Sequence, residues 1–367
     1  MTNDRGIFIK NIYYMLAYAF QVLKQSNYED LAVEEFSNVH DLFAAILAKG
    51  ISRQLKQGLY REYIPIKEDM NVMRGKLDIP GTIRNKLQRR RMLNCDYDEL
   101  SENNLFNQVL KTTATILMHQ KSVGEANRSA LKRIMLYFHG VDCINPSNIR
   151  WSRVQHSKNN QSYEMLMEVC RLVLDGLLLT TEKGEHKLAA FLDEQRMSRL
   201  YERFLLEYYK RHHPELNPSS SIIAWKVDDG FTKYLPSMIT DIVLESNGRS
   251  VIIDAKYYAG TMQRNGQFDS ISLYSNNLYQ IFAYVKNSDV YGTGNVAGML
   301  LYAKTDENIT PDWDYQMSGN RISARTIDLN VPFQMIAAKL DDIASSYFPE
   351  HRETRNLFND FPPENRY

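Results

Sequence analysis

The stretch ITDIVLESNGRSVIIDAKYY, residues 239–258, constrains this chain more than any other, because it sets charges into two runs otherwise rich in Ile, Val and Leu. Asn247-Gly248 between the runs is a hairpin signal, since both residues tolerate the positive φ of a two-residue turn. In an antiparallel hairpin centred there, Ser246 faces Arg249, Val243 faces Ile252 and Asp241 faces Asp254. Widening the loop symmetrically leaves that pairing unchanged. Cross-strand partners have Cβ atoms about 4.5–5.5 Å apart, and Lys256, two residues past Asp254, shares its face. Two bare carboxylates about 5 Å apart at an effective dielectric near 20 repel by roughly 3 kcal/mol. A positive charge is needed between them.

A lysine offsets one carboxylate. A divalent cation suits a facing pair better, and Mg²⁺ characteristically takes one or two carboxylates together with waters and phosphate oxygens. The outline is that of a phosphodiesterase site: the metal polarises the phosphate and lowers the pKa of water, while the lysine orients the nucleophile or neutralises developing charge. A plainer reading makes Asp241 a strand start and Asp254–Lys256 an exposed ion pair on an edge strand. VIIDAKYY is apolar on both faces before the acid, which suits a buried strand, where charges are paired or metal-bound.

With 367 residues the chain is long enough for two domains, each with a sizeable core. Lys plus Arg equals Asp plus Glu at 44 each, so net charge neither favours nor excludes nucleic acid, and local clusters must carry that argument. Cys95, Cys143 and Cys170 have no CxxC spacing, which points to free thiols in a reducing cytoplasm rather than a disulfide framework or a zinc site. Apolar runs are broken well before the roughly 18 residues of a membrane span, so a soluble, cytoplasmic protein without membrane contact is expected. No G-x4-G-K-[ST] phosphate loop occurs; the chain alone is not expected to hydrolyse nucleotide.

IFIKNIYYMLAYAFQVLKQ and DLFAAILAKGISRQLKQG read as two amphipathic helices, the second stopped by Gly58. YREYIPIKEDMNVMRGKLDIP switches to short strand-like runs punctuated by Pro65, Gly75 and Pro80, as a surface hairpin or a projecting finger would. Arg84, Lys86, Arg89, Arg90 and Arg91 form the densest basic cluster, either a solvated face or a contact for phosphates or an acidic partner, and a helix capped by Ser101 is expected to follow. The polar, aperiodic residues 145–162 mark the expected boundary between an N-terminal domain, 1–150, and a second domain, 160–350, with a polar tail at 351–367. Beyond the boundary come two helical segments, a strand at SIIAWKV, the hairpin and a helix at NLYQIFAYVKN, an α/β module with a short mixed sheet.

A helix bearing Glu202, strand-borne Asp241, then Asp254-Ala255-Lys256, then Gln280 four residues before Tyr284 resembles the PD-(D/E)xK nuclease core, with Pro236 displaced from the usual Pro-Asp dipeptide. IKNIYYMLAYAF, MRGKLDIPGTIRN, IIDAKYY and NLYQIFAYV together resemble the McrC family, nuclease subunits of modification-dependent (type IV) McrBC restriction systems, over residues 7 to about 330. The resemblance implies an α+β N-terminal domain with a β-rich finger, followed by an α/β restriction-endonuclease-like domain. It implies Mg²⁺-dependent cleavage of modified double-stranded DNA, with Asp241, Asp254, Lys256, Gln280 and Tyr284 catalytic and Asp241, Asp254 and Glu202 at the metal. It also implies a McrB-type AAA+ GTPase hexamer as partner, which uses the GTP and recognises 5-methylcytosine. Arg74, Lys76, Arg84, Arg89, Arg90 and Arg91 would meet partner or DNA, with Met70, Val72 and Met73 as apolar anchors. The alternative is a non-catalytic assembly or stimulatory subunit with a degenerate nuclease fold.

Overall fold

The computed structural model describes residues 3–4, 7–21, 31, 34–36, 38–156, 161–181, 194–257, 262–265, 270–304 and 310–351. The expected polar tail from residue 352 onward lies outside them. The chain forms two compact units, one of residues 1–42 with 175–367 and one of residues 43–174. The linear boundary expected between 150 and 160 therefore falls inside the second unit. Residues 145–162 read as a linker because they are polar and aperiodic, yet they carry short 3-10 turns at Pro146–Asn148 and Trp151–Arg153, and Ile149 is buried.

The first helix, α1 (Ile9–Ala19), shows why the larger unit recruits the N-terminus. Ten of its eleven residues are buried, so it is not the amphipathic helix expected but one apolar enough to be enclosed all round. Its one buried amide, Asn11, donates to the carbonyls of Leu329 and Val331, both at 2.8 Å.

In the smaller unit, α2 (Val39–Gln57) ends at Gly58, whose φ of 87° only glycine adopts freely. The chain turns at Tyr60, whose carbonyl accepts from Asn104 Nδ2 at 2.7 Å and Asn107 Nδ2 at 2.9 Å. Strands β1 (Glu62–Met70), β2 (Lys76–Leu77) and β3 (Leu93–Ser101) then form an antiparallel sheet in the order β1-β3-β2. Between β2 and β3 lies α3 (Ile79–Leu87), so part of the basic cluster rides on a helix that periodicity did not reveal. The next helix, α4 (Leu105–His119), is capped by Asn104 rather than Ser101: Asn104 Oδ1 accepts from the Asn107 N–H at 3.2 Å. Ser101 closes β3 instead, and its hydroxyl accepts from Asn103 N–H at 3.0 Å. Helix α5 (Glu125–Met135) and α6 (Glu164–Thr181) as far as Leu174 also belong to the unit.

The larger unit is built on a five-stranded mixed sheet of β4 (Ile242–Ser246), β5 (Arg249–Tyr257), β6 (Val296–Lys304), β7 (Trp313–Met317) and β8 (Asn320–Asp328), in the order β7-β8-β6-β5-β4. The three inner strands β8, β6 and β5 run parallel, and antiparallel strands close both edges. Parallel strands are covered on both faces, which is why VAGMLLYAK of β6 is almost wholly apolar and buried. Besides α1, its described residues form the helices α7 (Glu194–His212), α8 (Ser275–Ser288) and α9 (Phe333–Tyr347). At Gly298 of β6 a Cβ would stand 2.8 Å from side-chain atoms of Ile281 and Val285, so the missing side chain lets α8 lie close on the sheet. The strand expected at SIIAWKV shrinks to Ile222–Ile223, paired with Met238–Ile239. Beyond it the Lys226 N–H donates to Asn287 Oδ1 at 2.7 Å, a side chain replacing the ladder.

Burying the large side chains of α1, Ile9, Ile12, Tyr13, Tyr14, Met15, Leu16 and Tyr18, contributes more than about 10 kcal/mol at roughly 1.5–3 kcal/mol each. That is comparable to the roughly 5–15 kcal/mol that holds a whole domain folded. Residues 160–367 produced alone should therefore show no cooperative thermal transition, and adding residues 1–42 should restore one. A sharp melt of the shorter fragment, followed by circular dichroism, would contradict this.

Candidate active site

The Asn-Gly turn places the site. Asn247 and Gly248 take φ of 51° and 72°, and the β4–β5 register pairs Ser246 with Arg249 and Ile242 with Ile253. Asp241, one residue before β4, and Asp254, inside β5, thus meet at the open end of the hairpin as the spacing required. The Ala255 N–H donates to Asp241 Oδ2 at 2.8 Å, fixing that carboxylate to the strand carrying Asp254.

Lys256 Nζ lies 2.7 Å from Asp254 Oδ2, with the two side chains 12% and 3% exposed. The ion pair of the plainer reading exists, but on an interior strand and out of water. Lys256 also donates to Gln280 Oε1 at 3.1 Å, Gln280 Nε2 donates to the Tyr284 hydroxyl at 3.0 Å, and that hydroxyl donates to the Ile239 carbonyl at 3.1 Å. The sense of the chain is fixed at its far end, because a carbonyl only accepts. Tyr284 must give its proton to Ile239, so it receives from the Gln280 amide nitrogen, which leaves the amide oxygen facing the lysine.

Glu202 projects from α7 into the same electrostatic field. The Ser198 hydroxyl donates to its Oε1 at 2.9 Å. Burial pushes its pKa upward, and the Asp241 charge adds to that effect. Burial likewise raises Asp241, against the Ala255 hydrogen bond and the Lys256 charge. It raises Asp254 most, to about 7, with Lys256 pulling back and the charges of Asp241 and Glu202 pushing further. The Lys256 charge acts on all three carboxylates, and that of Arg199 on Glu202 as well.

These groups fit Mg²⁺ in donor chemistry. All are hard oxygen donors, and the surplus charge is negative. The Asp254 Oδ2 atom is buried, and its close partner is the Lys256 ammonium at 2.7 Å. Among the described residues no three His, Cys, Asp or Glu side chains form a ready metal cage. A pair of carboxylates is what Mg²⁺ commonly uses, water completing its shell.

The basic candidates belong to the other compact unit. Arg74 lies over the Tyr97 ring at 4.0 Å and pairs with Glu99 at 3.6 Å. Lys76 is in β2, Arg84 on α3, and Arg89, Arg90 and Arg91 follow α3, all exposed.

A family model described as McrBC 5-methylcytosine restriction system component matches residues 3–303. The chain belongs to this family. It is 27% identical over 343 residues to the type IV methyl-directed restriction enzyme EcoKMcrBC of Escherichia coli strain K12, covering 92% of this chain and 97% of that one. Among solved structures it is similar to a refined half-complex from the tetradecameric assembly of Thermococcus gammatolerans McrB AAA+ hexamers with bound McrC, at TM-score 0.47 and 18% identity over 91% of this chain and 76% of that one. A second, the Thermococcus gammatolerans McrBC complex, gives TM-score 0.40 and 21% identity over 56% and 59%. Among the described residues of this McrBC-family chain, no helix is long and apolar enough to cross a membrane.

The structure thus brings Asp241, Asp254, Lys256, Gln280 and Tyr284 together, with Glu202 within electrostatic reach. Three further members went unread in the sequence: the Ala255 N–H, the Ile239 carbonyl and Ser198. The first two are main-chain groups that no residue pattern marks, and Ser198 stands one helical turn before Glu202.

Because the folded protein holds a proton on Asp254 up to about pH 7, against about 3.9 when unfolded, ionising it costs stability as pH rises through that window. Asp254→Asn should therefore stabilise the metal-free protein at pH 8 by on the order of 1–3 kcal/mol, and the gain should vanish near pH 4. Thermal melts in EDTA across that range test it; a variant less stable than wild type at pH 8 would contradict the electrostatic account.

Proposed function

We propose that this McrBC-family chain is the Mg²⁺-dependent DNA endonuclease subunit of a GTP-dependent, modification-directed restriction complex, and that its larger unit is a PD-(D/E)xK nuclease domain. The observation that carries this reading is the convergence of Asp241, Asp254 and Lys256 at the open end of one hairpin, with Asp254 and Lys256 paired out of water. A site with no chemistry has no use for such charges, since removing one would relieve the repulsion. That argues against a purely non-catalytic assembly subunit.

In this reading Asp241 and Asp254 hold the cation, with Glu202 supplying further negative charge. When bound, Mg²⁺ supplies Lewis acidity toward the phosphate and the attacking water. Lys256 gives a donor and a positive charge to the phosphate as its charge grows. Gln280, steadied by Tyr284, keeps the ammonium from folding fully onto Asp254, so that it remains available to substrate.

The remaining parts of the complex follow from the family. GTP hydrolysis falls to a McrB-type AAA+ hexamer, because this chain has no phosphate-binding loop. Recognition of 5-methylcytosine in double-stranded DNA falls there too. Residues Tyr60 to Arg91 form the finger that docks on that hexamer and stimulates its GTPase, and the complex works in the cytoplasm.

In the assembled complex, Asp254→Asn and Lys256→Ala should abolish cleavage of methylated plasmid while GTP turnover by the partner stays within about twofold of wild type. Gln280→Ala should slow cleavage about 10- to 100-fold, roughly 1.4–2.7 kcal/mol of transition-state stabilisation. Robust cleavage by the Asp254 variant under the same conditions would overturn the catalytic assignment.

A further inference from the structure

Helix α3 is mounted inside out. Its buried residues are Thr82 and Asn85, and its attachment to the small sheet is made of hydrogen bonds. Thr82 Oγ1 accepts from Asn94 N–H at 2.9 Å, Asn85 Nδ2 donates to Asp69 Oδ1 at 2.6 Å, and Asn94 Nδ2 donates to the same Asp69 oxygen at 2.7 Å. These bonds hold the Asp69 carboxyl below its usual range. Asp78 caps the helix through the Gly81 N–H at 3.0 Å and pairs with Lys67 at 3.0 Å. Gly81 sits so close that a Cβ would come within 2.6 Å of Asn94 Cγ.

The apolar side faces water. Ile79, Ile83 and Leu87 are 62%, 51% and 80% exposed, and their spacing of four stacks them along one face. Val72 and Met73, in the turn before β2, are exposed as well. An ordinary surface helix buries such a stripe. Here the polar residues do the fastening, and the apolar face is left for something else.

The surroundings select the occupant. Arg84 and Lys86 lie on the same helix, and Arg89, Arg90 and Arg91 follow it, all exposed, so the apolar stripe is rimmed with positive charge. A nucleic-acid backbone would satisfy the rim but offer nothing to three aliphatic side chains. A protein groove with an apolar floor and an acidic rim complements both features.

We infer that the Ile79–Ile83–Leu87 face of α3 is the anchor by which this chain seats in such a groove on its AAA+ GTPase partner. The inference rests on the docking role proposed above and adds this face to the expected anchors Val72 and Met73, whereas Met70 is only partly exposed in β1. The arginines steer and tighten; the stripe holds.

The test uses the full chain with Ile83→Gln and Leu87→Gln combined, and a second variant with Arg89, Arg90 and Arg91 all changed to Ser. Both retain the hydrogen bonds that fasten α3, and thermal melts check that each is folded. Affinity for the McrB-type GTPase is measured with a non-hydrolysable GTP analogue, alongside binding to a methylated DNA duplex, to phosphatidylcholine–phosphatidylserine vesicles, and self-association. The glutamine variant should bind the GTPase at least about 30-fold more weakly, with duplex binding, vesicle binding and oligomeric state unchanged. The serine variant should lose about 3- to 10-fold, an effect that fades at high salt. Wild-type affinity in the glutamine variant overturns the anchor while leaving the docking role standing. A selective loss of duplex binding, vesicle binding or self-association overturns it in favour of that occupant. A wild-type chain that does not bind the GTPase overturns the docking role and the anchor together.

Discussion

The larger unit is organised around a deliberate electrostatic excess: more carboxylate than ammonium in a place with little water. Asp241 and Asp254 meet because an Asn-Gly turn sets the register of one hairpin, and a one-residue slip would send Asp254 to the opposite face of the sheet. The Ala255 N–H and the Lys256 ammonium offset part of the repulsion. What they leave, an acid protonated up to about pH 7, is a standing demand for positive charge.

The rest of the unit holds that demand in place. The parallel strands β5, β6 and β8 give a rigid base, and α8 lies close on it over Gly298, which brings Gln280 and Tyr284 to the lysine. Helix α7 carries Glu202 and is tied to α9, the single proton of the Tyr208 hydroxyl lying between Asp341 Oδ1 at 2.9 Å and the Ala337 carbonyl at 3.1 Å. Helix α1 completes this core: the rings of Tyr14 and Tyr18 stack on Phe333 of α9, and Tyr18 hydrogen-bonds His212 at 2.8 Å. A site of unbalanced charge needs such a frame, since repulsion would otherwise spread it apart.

The site was more legible in the sequence than the fold around it. Hairpin register follows from turn chemistry and counting, and the i, i+4 spacing of Gln280 and Tyr284 is a local property of a helix. The unit boundaries were illegible because they depend on α1 meeting α7 and α9, contacts between residues roughly two hundred and three hundred positions apart. The short helix α3 escaped because its periodicity is inverted: Thr82 and Asn85 occupy the side that a pattern of buried apolar residues would mark. Ser101 lost the cap to Asn104 because β3 extends further than the turn residues suggested.

In the proposed function Asp241 and Asp254 together hold a divalent cation. Calorimetric titration of Mg²⁺, or electron paramagnetic resonance with Mn²⁺, into the wild-type chain at pH 8 addresses it without substrate or partner. Wild type should bind the cation saturably, and binding should weaken at least about tenfold in Asp241→Asn and in Asp254→Asn, both variants remaining folded. Saturable binding that survives both substitutions, or a wild-type chain that binds no cation, would contradict it.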